Sequence, residues 1–178
     1  MASFYGGTRR YLAQITPLLG CTLTFVNDMQ TELASTFDKC DNTTKIVWME
    51  TPMDNTFLSP YIQNPLRHEA DVLYLVTKYI NGHSDVLMSA IALNDPNIHK
   101  CLAFLQNAAG SVPSPFDCWL AHRGVKTLHL RSLAASRNAS TIAQILEVSL
   151  HVLSVNYPAL PMHPQREVAV KQHRNRLG

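Results

Sequence analysis

The residues with the clearest chemical potential lie in one run, Thr77-Lys78-Tyr79-Ile80-Asn81-Gly82-His83-Ser84-Asp85. Just before it, Val72-Leu73-Tyr74-Leu75-Val76 is a continuous apolar stretch, the pattern of a strand buried on both faces. Lys78 is therefore expected at the carboxyl end of a strand, ahead of a polar loop that contains a glycine. Ligand sites of open α/β sheets lie at such ends. A partly desolvated amine is more often neutral, the form needed for a Schiff base with a carbonyl compound. A solvated lysine in a surface turn is the other reading of the same residues, and it is the commoner fate of lysines.

The elements that must position this lysine alternate in type. Residues 9 to 19 have near-helical apolar spacing with Gly20 as a stop. Thr22 to Val26 reads as a short strand, residues 29 to 38 as a short helix, and Lys45 to Glu50 as a strand stopped by Thr51-Pro52. After the lysine, Val86 to Leu93 reads as a strand. Asp95-Pro96 starts a helix that Gly110 ends, with Ile98, Leu102 and Leu105 on one face. Ser114-Pro115 starts another, and the pattern stays helical from Phe116 to Leu150 with Gly124 as a weak point. Leu153 to Tyr157 reads as a strand before a turn-rich stretch with Pro158, Pro161 and Pro164. Strands alternating with helices predict an α/β fold with a mostly parallel sheet flanked by helices.

Composition narrows the function classes. The chain has 178 residues, 46% of them apolar and 16% charged, enough for one globular domain with a sizeable core. A formal net charge of +2 carries no electrostatic footprint for nucleic acid, and the basic residues Arg166, Lys171, Arg174 and Arg176 read as a solvated face. Cys21, Cys40, Cys101 and Cys118 form no C-x-x-C pair and match no zinc spacing, so buried free thiols of a reducing compartment are expected. No histidine has metal-ligand spacing, and His83 reads as a structural hydrogen-bonding residue. The opening residues lack the pattern of a signal peptide, and no run is long and apolar enough to span a membrane. Without secretion the sequons at Asn42 and Asn138 are chance matches. A cytoplasmic protein is the expectation.

The run from Thr77 to Val86 resembles the cofactor-lysine segment of the pyridoxal-phosphate (PLP) enzymes of Cys/Met metabolism. Tyr5-Gly6-Gly7-Thr8 resembles that family's aromatic-glycine loop, and Asp54-Asn55-Thr56-Phe57-Leu58-Ser59-Pro60-Tyr61 its aspartate segment. Phe104 to Gly110, Pro113 to Asp117 and Arg123 to Arg131 resemble the helical region after the lysine, and Asn156-Tyr157-Pro158 with His163-Pro164 extends the likeness. The wording is nearest to the cystathionine γ-lyase branch. The resemblance implies the large domain of PLP-dependent transferase fold type I, with PLP as cofactor and no metal. It implies Lys78 and Tyr5 as catalytic residues: Lys78 forms the Schiff base and shuttles protons, and Tyr5 stacks on the ring. Asp54 would pair with the pyridine nitrogen and Thr77 would donate its hydroxyl to the phosphate. The implied reaction is γ-elimination of L-cystathionine to cysteine, 2-oxobutyrate and ammonia; synthase, β-lyase and sulfhydrylase relatives remain open. Taken without the resemblance, Asp54 reads as a turn residue, Tyr5 as part of a frayed end, and Thr77 as a strand-end residue.

The departures from the family are as specific as the match. Residues 1–178 read as an incomplete PLP-binding large domain. A phosphate loop before Tyr5, a second domain after Gly178, and one helix–strand unit between Pro52 and Asp54 are expected to be absent. Leu75 stands in place of a phosphate-binding serine, and Glu69 and Ser89 in place of glycines. The implied partners are a small amino-acid substrate and the copies of the family's homotetramer, with much of the assembly surface missing. These departures point to a chain that is not an efficient enzyme, and they keep open a non-catalytic remnant that associates with full-length homologues.

Overall fold

The structure, a computed structural model, describes residues 6–26, 31–40, 43–49 and 59–173. The chain divides into two units, residues 1–54 and 55–178.

In the first unit, helix α1 (Gly6–Gln14) is followed by a single tight turn, Thr16–Leu19. Gly20 ends it with φ 76°, donating its N–H to the Pro17 carbonyl at 3.0 Å. Helix α2 is Leu33–Lys39, and Arg9 lies 5.7 Å from the centre of the Phe25 ring. The strands expected at 22–26 and 45–50 do not form: the described residues in both ranges make no ladder. Strand propensity alone does not make a ladder, which depends on cross-strand pairing and context. None of the unit's described residues is buried.

The second unit holds the sheet. Strand β1 (Val72–Leu75) pairs antiparallel with β2 (Ser89–Ala92), in a register that sets Val72 against Ala92 and Leu75 against Ser89. Among the described residues this pair is the whole sheet, so the parallel neighbours expected around it do not appear there. With a single paired neighbour, β1 buries Val72 and leaves Leu73, Tyr74 and Leu75 half-buried. Four helices follow. Helix α3 (Pro96–Ala109) starts where Asp95 accepts a bond from the Asn97 N–H at 2.7 Å, and it ends at Gly110 with φ 69°. Helix α4 (Pro115–Val125) starts where Ser114 Oγ accepts from the Asp117 N–H at 3.0 Å. Helix α5 (Leu128–Glu147) begins after a break just past Gly124. Helix α6 (Arg166–Gln172) follows the turn-rich stretch, where the sequence reading placed no element, whereas the strand expected at 153–157 is irregular.

The core is thin and made mostly of small side chains. Val72, Val76, Val86, Leu120, Ala121, Leu128, Ala143, Leu160 and Ala169 are its buried apolar residues. Polar residues are buried with them, and Ser59 and Ser132 share a hydrogen bond of 2.8 Å. An antiparallel bridge between Gln63 and His173 joins the start of the unit to its end. Helix α3 buries nothing, so its expected apolar face is open at Ile98 and Leu105. The expected buried thiols are not found: Cys21, Cys101 and Cys118 are exposed and Cys40 is half-buried. Two of them, Cys101 and Cys118, ride on exposed faces of α3 and α4. No helix among the described residues is long and apolar enough to cross a membrane.

Helix α3 is held by its caps more than by packing. Replacing Asp95 by Ala is expected to cost about 1 kcal/mol, the usual loss when an N-cap acceptor is removed. Chemical denaturation followed by circular dichroism measures it, and an unchanged midpoint would show that the cap is idle.

Candidate functional site

The site is built at the end of β1. Beyond Leu75 the backbone enters a wide helical turn, Val76–Ile80, interrupted at Lys78 by φ −88° and ψ −115°. The turn closes on itself: the Asn81 N–H donates to the Val76 carbonyl at 2.9 Å and the Gly82 N–H to the Lys78 carbonyl at 2.8 Å. Gly82 then takes φ 83°, a left-handed conformation that glycine adopts without steric cost. Lys78 is exposed at this turn, so the partial desolvation expected from sequence is not present.

Thr77 anchors the turn to the neighbouring strand segment. Its N–H donates to the Met88 carbonyl at 3.1 Å. Its Oγ1 accepts from the Met88 N–H at 2.8 Å and donates to the Met88 carbonyl at 3.2 Å. Leu75, half-buried in β1, offers no donor beside it. The two other residues assigned to the site from sequence, Tyr5 and Asp54, lie outside the described residues.

Three features of the site have no assigned role in the sequence reading. The first is Asn81, which is fully buried and donates from Nδ2 to Asp85 Oδ1 at 2.6 Å. That bond holds the Asp85 carboxyl below its usual range, against the opposing effect of desolvation, with smaller help from His83 and Arg123. The exposed Arg123 lies 3.9 Å from Asp85, too loose and too wet to add much.

The second is Gly124, buried against the Asn81 backbone. A side-chain carbon there would lie 2.9 Å from Asn81 Cα, closer than real contacts allow. The glycine that reads as a weak point in a helix is the place where α4 meets the lysine turn.

The third is Arg131 of α5. Its Nη1 donates to the Tyr79 carbonyl at 2.6 Å, and its Nη2 to the Ile80 carbonyl at 2.9 Å and the Gly124 carbonyl at 3.0 Å. Its Nε donates to Thr127 Oγ1 at 3.1 Å, and the guanidinium sits 5.2 Å from the centre of the Tyr79 ring. A planar fork of charged donors suits several acceptors at once. The sequence held one cue: Thr127 and Arg131 are spaced i, i+4 on a helix that follows a glycine.

Glu69, read as standing where the family has glycine, takes φ 59°, and such a backbone disfavours a residue with a Cβ.

Two outcomes follow from this geometry. Gly124→Ala forces the Asn81 backbone to move, and a loss of about 1–3 kcal/mol is expected in denaturant unfolding, the range typical of overpacking. Asp85 titrates lower in the folded than in the unfolded chain, so its contribution is complete above its ordinary value of 3.8 and disappears as pH falls through the depressed value. Thermal melts from pH 7 down to pH 3 should therefore fall more steeply for the wild type than for Asp85→Asn; parallel curves would remove this role.

The likeness to known proteins is extensive. The family model described as "Cys/Met metabolism PLP-dependent enzyme" matches residues 53–178. A cystathionine gamma-lyase of Saccharomyces cerevisiae is 43% identical over 205 residues, covering 98% of this chain and 51% of that protein. The Homo sapiens cystathionine gamma-lyase is 40% identical over 199 residues, 97% of this chain and 49% of its own length. The crystal structure of the yeast enzyme superimposes with a TM-score of 0.88 at 41% identity, over 100% of this chain and 52% of that one. The chain spans about half the length of the curated relatives it matches.

Proposed function

This chain belongs to the Cys/Met metabolism PLP-dependent enzyme family, and from that premise we propose that it is a carbon–sulfur lyase of transsulfuration acting on L-cystathionine by γ-elimination. Its fold is the α/β class of the fold type I PLP enzymes, present in part. The family's cofactor is PLP. The observation that carries the proposal is Lys78: a primary amine, exposed at the carboxyl end of β1, on a turn whose backbone is fixed from both sides.

Two described residues carry groups suited to the aldehyde and phosphate ends of the cofactor, and these support the reading. Lys78 offers an accessible amine for the aldehyde. Thr77 Oγ1 accepts its shorter bond from Met88, so its proton can be redirected from the longer one towards a phosphate oxygen. When bound, PLP supplies the electron sink for bond cleavage next to the amino-acid nitrogen. Lys78 would hold it and then, through Nζ, take and return the substrate's Cα proton. Asp54 would keep the ring nitrogen protonated, and Tyr5 would stack on the ring face. The substrate is a small amino acid, and the compartment we assign is the cytoplasm.

The reading that one helix–strand unit is absent between Pro52 and Asp54 draws support from the alignment with the yeast relative, which runs over 205 residues against the 178 of this chain. A second reading, a non-catalytic relative that binds longer homologues, is favoured by the exposure of Leu87, Leu150, Leu153 and Met162.

Reconstitution with PLP decides between them. The purified chain is expected to develop a visible absorbance band, and borohydride reduction is expected to leave a pyridoxyl group on Lys78. Lys78→Ala should lose both, and added cystathionine should yield 2-oxobutyrate with the wild type alone. Folded wild-type chain without a lysine adduct would refute the lyase and leave the non-catalytic reading.

A further inference from the structure

We propose that Arg131 is a positioning residue for Lys78, holding the turn that carries the amine in one conformation by donating to its carbonyls; the proposal rests on the reading of Lys78 as the cofactor lysine. The turn has few ways to satisfy its own backbone. The carbonyls of Val76 and Lys78 are used within it, whereas those of Tyr79 and Ile80 face α5 and take their donors from one guanidinium. The same guanidinium bonds the Gly124 carbonyl and Thr127 Oγ1, so it is fixed by α4 and α5 before it meets the turn.

The steric record agrees. A Cβ at Gly82 would lie 2.7 Å from Arg131 Nη1, and one at Gly124 would strike the Asn81 backbone. At Gly124 helix α4 approaches the turn backbone to backbone, and at Gly82 the Arg131 guanidinium lies against the turn. A lysine side chain has four rotatable carbons and little intrinsic order, so the direction available to its amine depends on where its Cα is held. The hydrogen bonds of Arg131 go to Thr127 Oγ1 and to backbone carbonyls, not to the Lys78 amine; it acts through the carbonyls one and two residues beyond Lys78.

The test uses the full chain with PLP as probe and two readouts. After borohydride reduction, peptide mapping gives the share of pyridoxyl label on each of the six lysines. Amide hydrogen exchange reports the Asn81 and Gly82 N–H groups, which close the turn. In the wild type the label should concentrate on Lys78 and the visible band should show induced circular dichroism, the signature of a fixed orientation. Arg131→Met and Arg131→Lys should both lose the induced signal and move the label towards an even share. The Asn81 and Gly82 amides should exchange about tenfold faster or more, the factor that corresponds to losing a charge-assisted bond. Lysine is expected to fail as well, since a point charge cannot bridge carbonyls on separate elements.

Ser132→Ala, which breaks the buried bond to Ser59 one residue further along α5, is the control for a general loss of stability. It should keep both readouts. If Arg131→Met does not fold, Thr127→Val removes the Nε partner together with the Thr127 Oγ1 bond to the Gly124 carbonyl, leaves the bonds to the turn carbonyls, and should give a smaller loss in the same direction. Wild-type behaviour of the Arg131 variants overturns the proposal, as does an equal loss in Ser132→Ala. An even label in the wild type overturns the lyase reading instead, and the clamp is then decided by exchange alone: faster Asn81 and Gly82 amides support it, unchanged ones overturn it.

Discussion

A backbone carbonyl withdrawn from water needs a donor, and the turn at the end of β1 cannot supply all of its own. That constraint organises the second unit. The carbonyls of Tyr79 and Ile80 are served by Arg131, which also serves Gly124 and Thr127. One side chain thus ties the lysine turn, the end of α4 and the start of α5 into a single piece. The arrangement needs a residue without a side chain at Gly124, because the Asn81 backbone lies against it. It also needs a left-handed residue at Gly82, where a Cβ would push against the guanidinium.

The same region shows how this unit is held. Its apolar core is made largely of valine and alanine, and each small side chain contributes less burial than a leucine or phenylalanine would. Buried polar residues carry a large part of the specificity instead: Asn81 bonds Asp85, and Ser59 bonds Ser132. Such contacts have narrow geometry, so they select one arrangement of the turn even where their net energy is modest. In the first unit none of the described residues is buried.

For the chemistry, the division of labour is plain. The turn presents Lys78, Thr77 joins it to the Met88 segment, and the helices fix it from behind. The departures from the family fall on the same strand and its approaches. Leu75 offers no side-chain hydroxyl beside Thr77, and Glu69 occupies a left-handed position better suited to glycine. Under the proposed function these positions bear on binding and positioning rather than on the amine.

Much of this was legible in the residues. Asp95-Pro96, Ser114-Pro115, Gly20 and Gly110 mark helix ends through interactions within a few residues, and each does so in the structure. The apolar run before Lys78 marks β1, and the motif around the lysine, with its ordered companions, marks the family. What the sequence did not settle depends on distant partners. Residues 22–26 and 45–50 have strand composition, yet their described residues join no ladder, and β1 is half-buried with one paired strand among the described residues. Arg131 reads as an ordinary helical arginine until the fold brings it to carbonyls 51 and 52 residues away. Local backbone chemistry is written in neighbouring residues, so the sequence determined the caps, the strand and the lysine turn. Satisfaction of buried carbonyls and pairing of strands depend on groups far apart in the chain, so tertiary structure alone decided what holds that turn still.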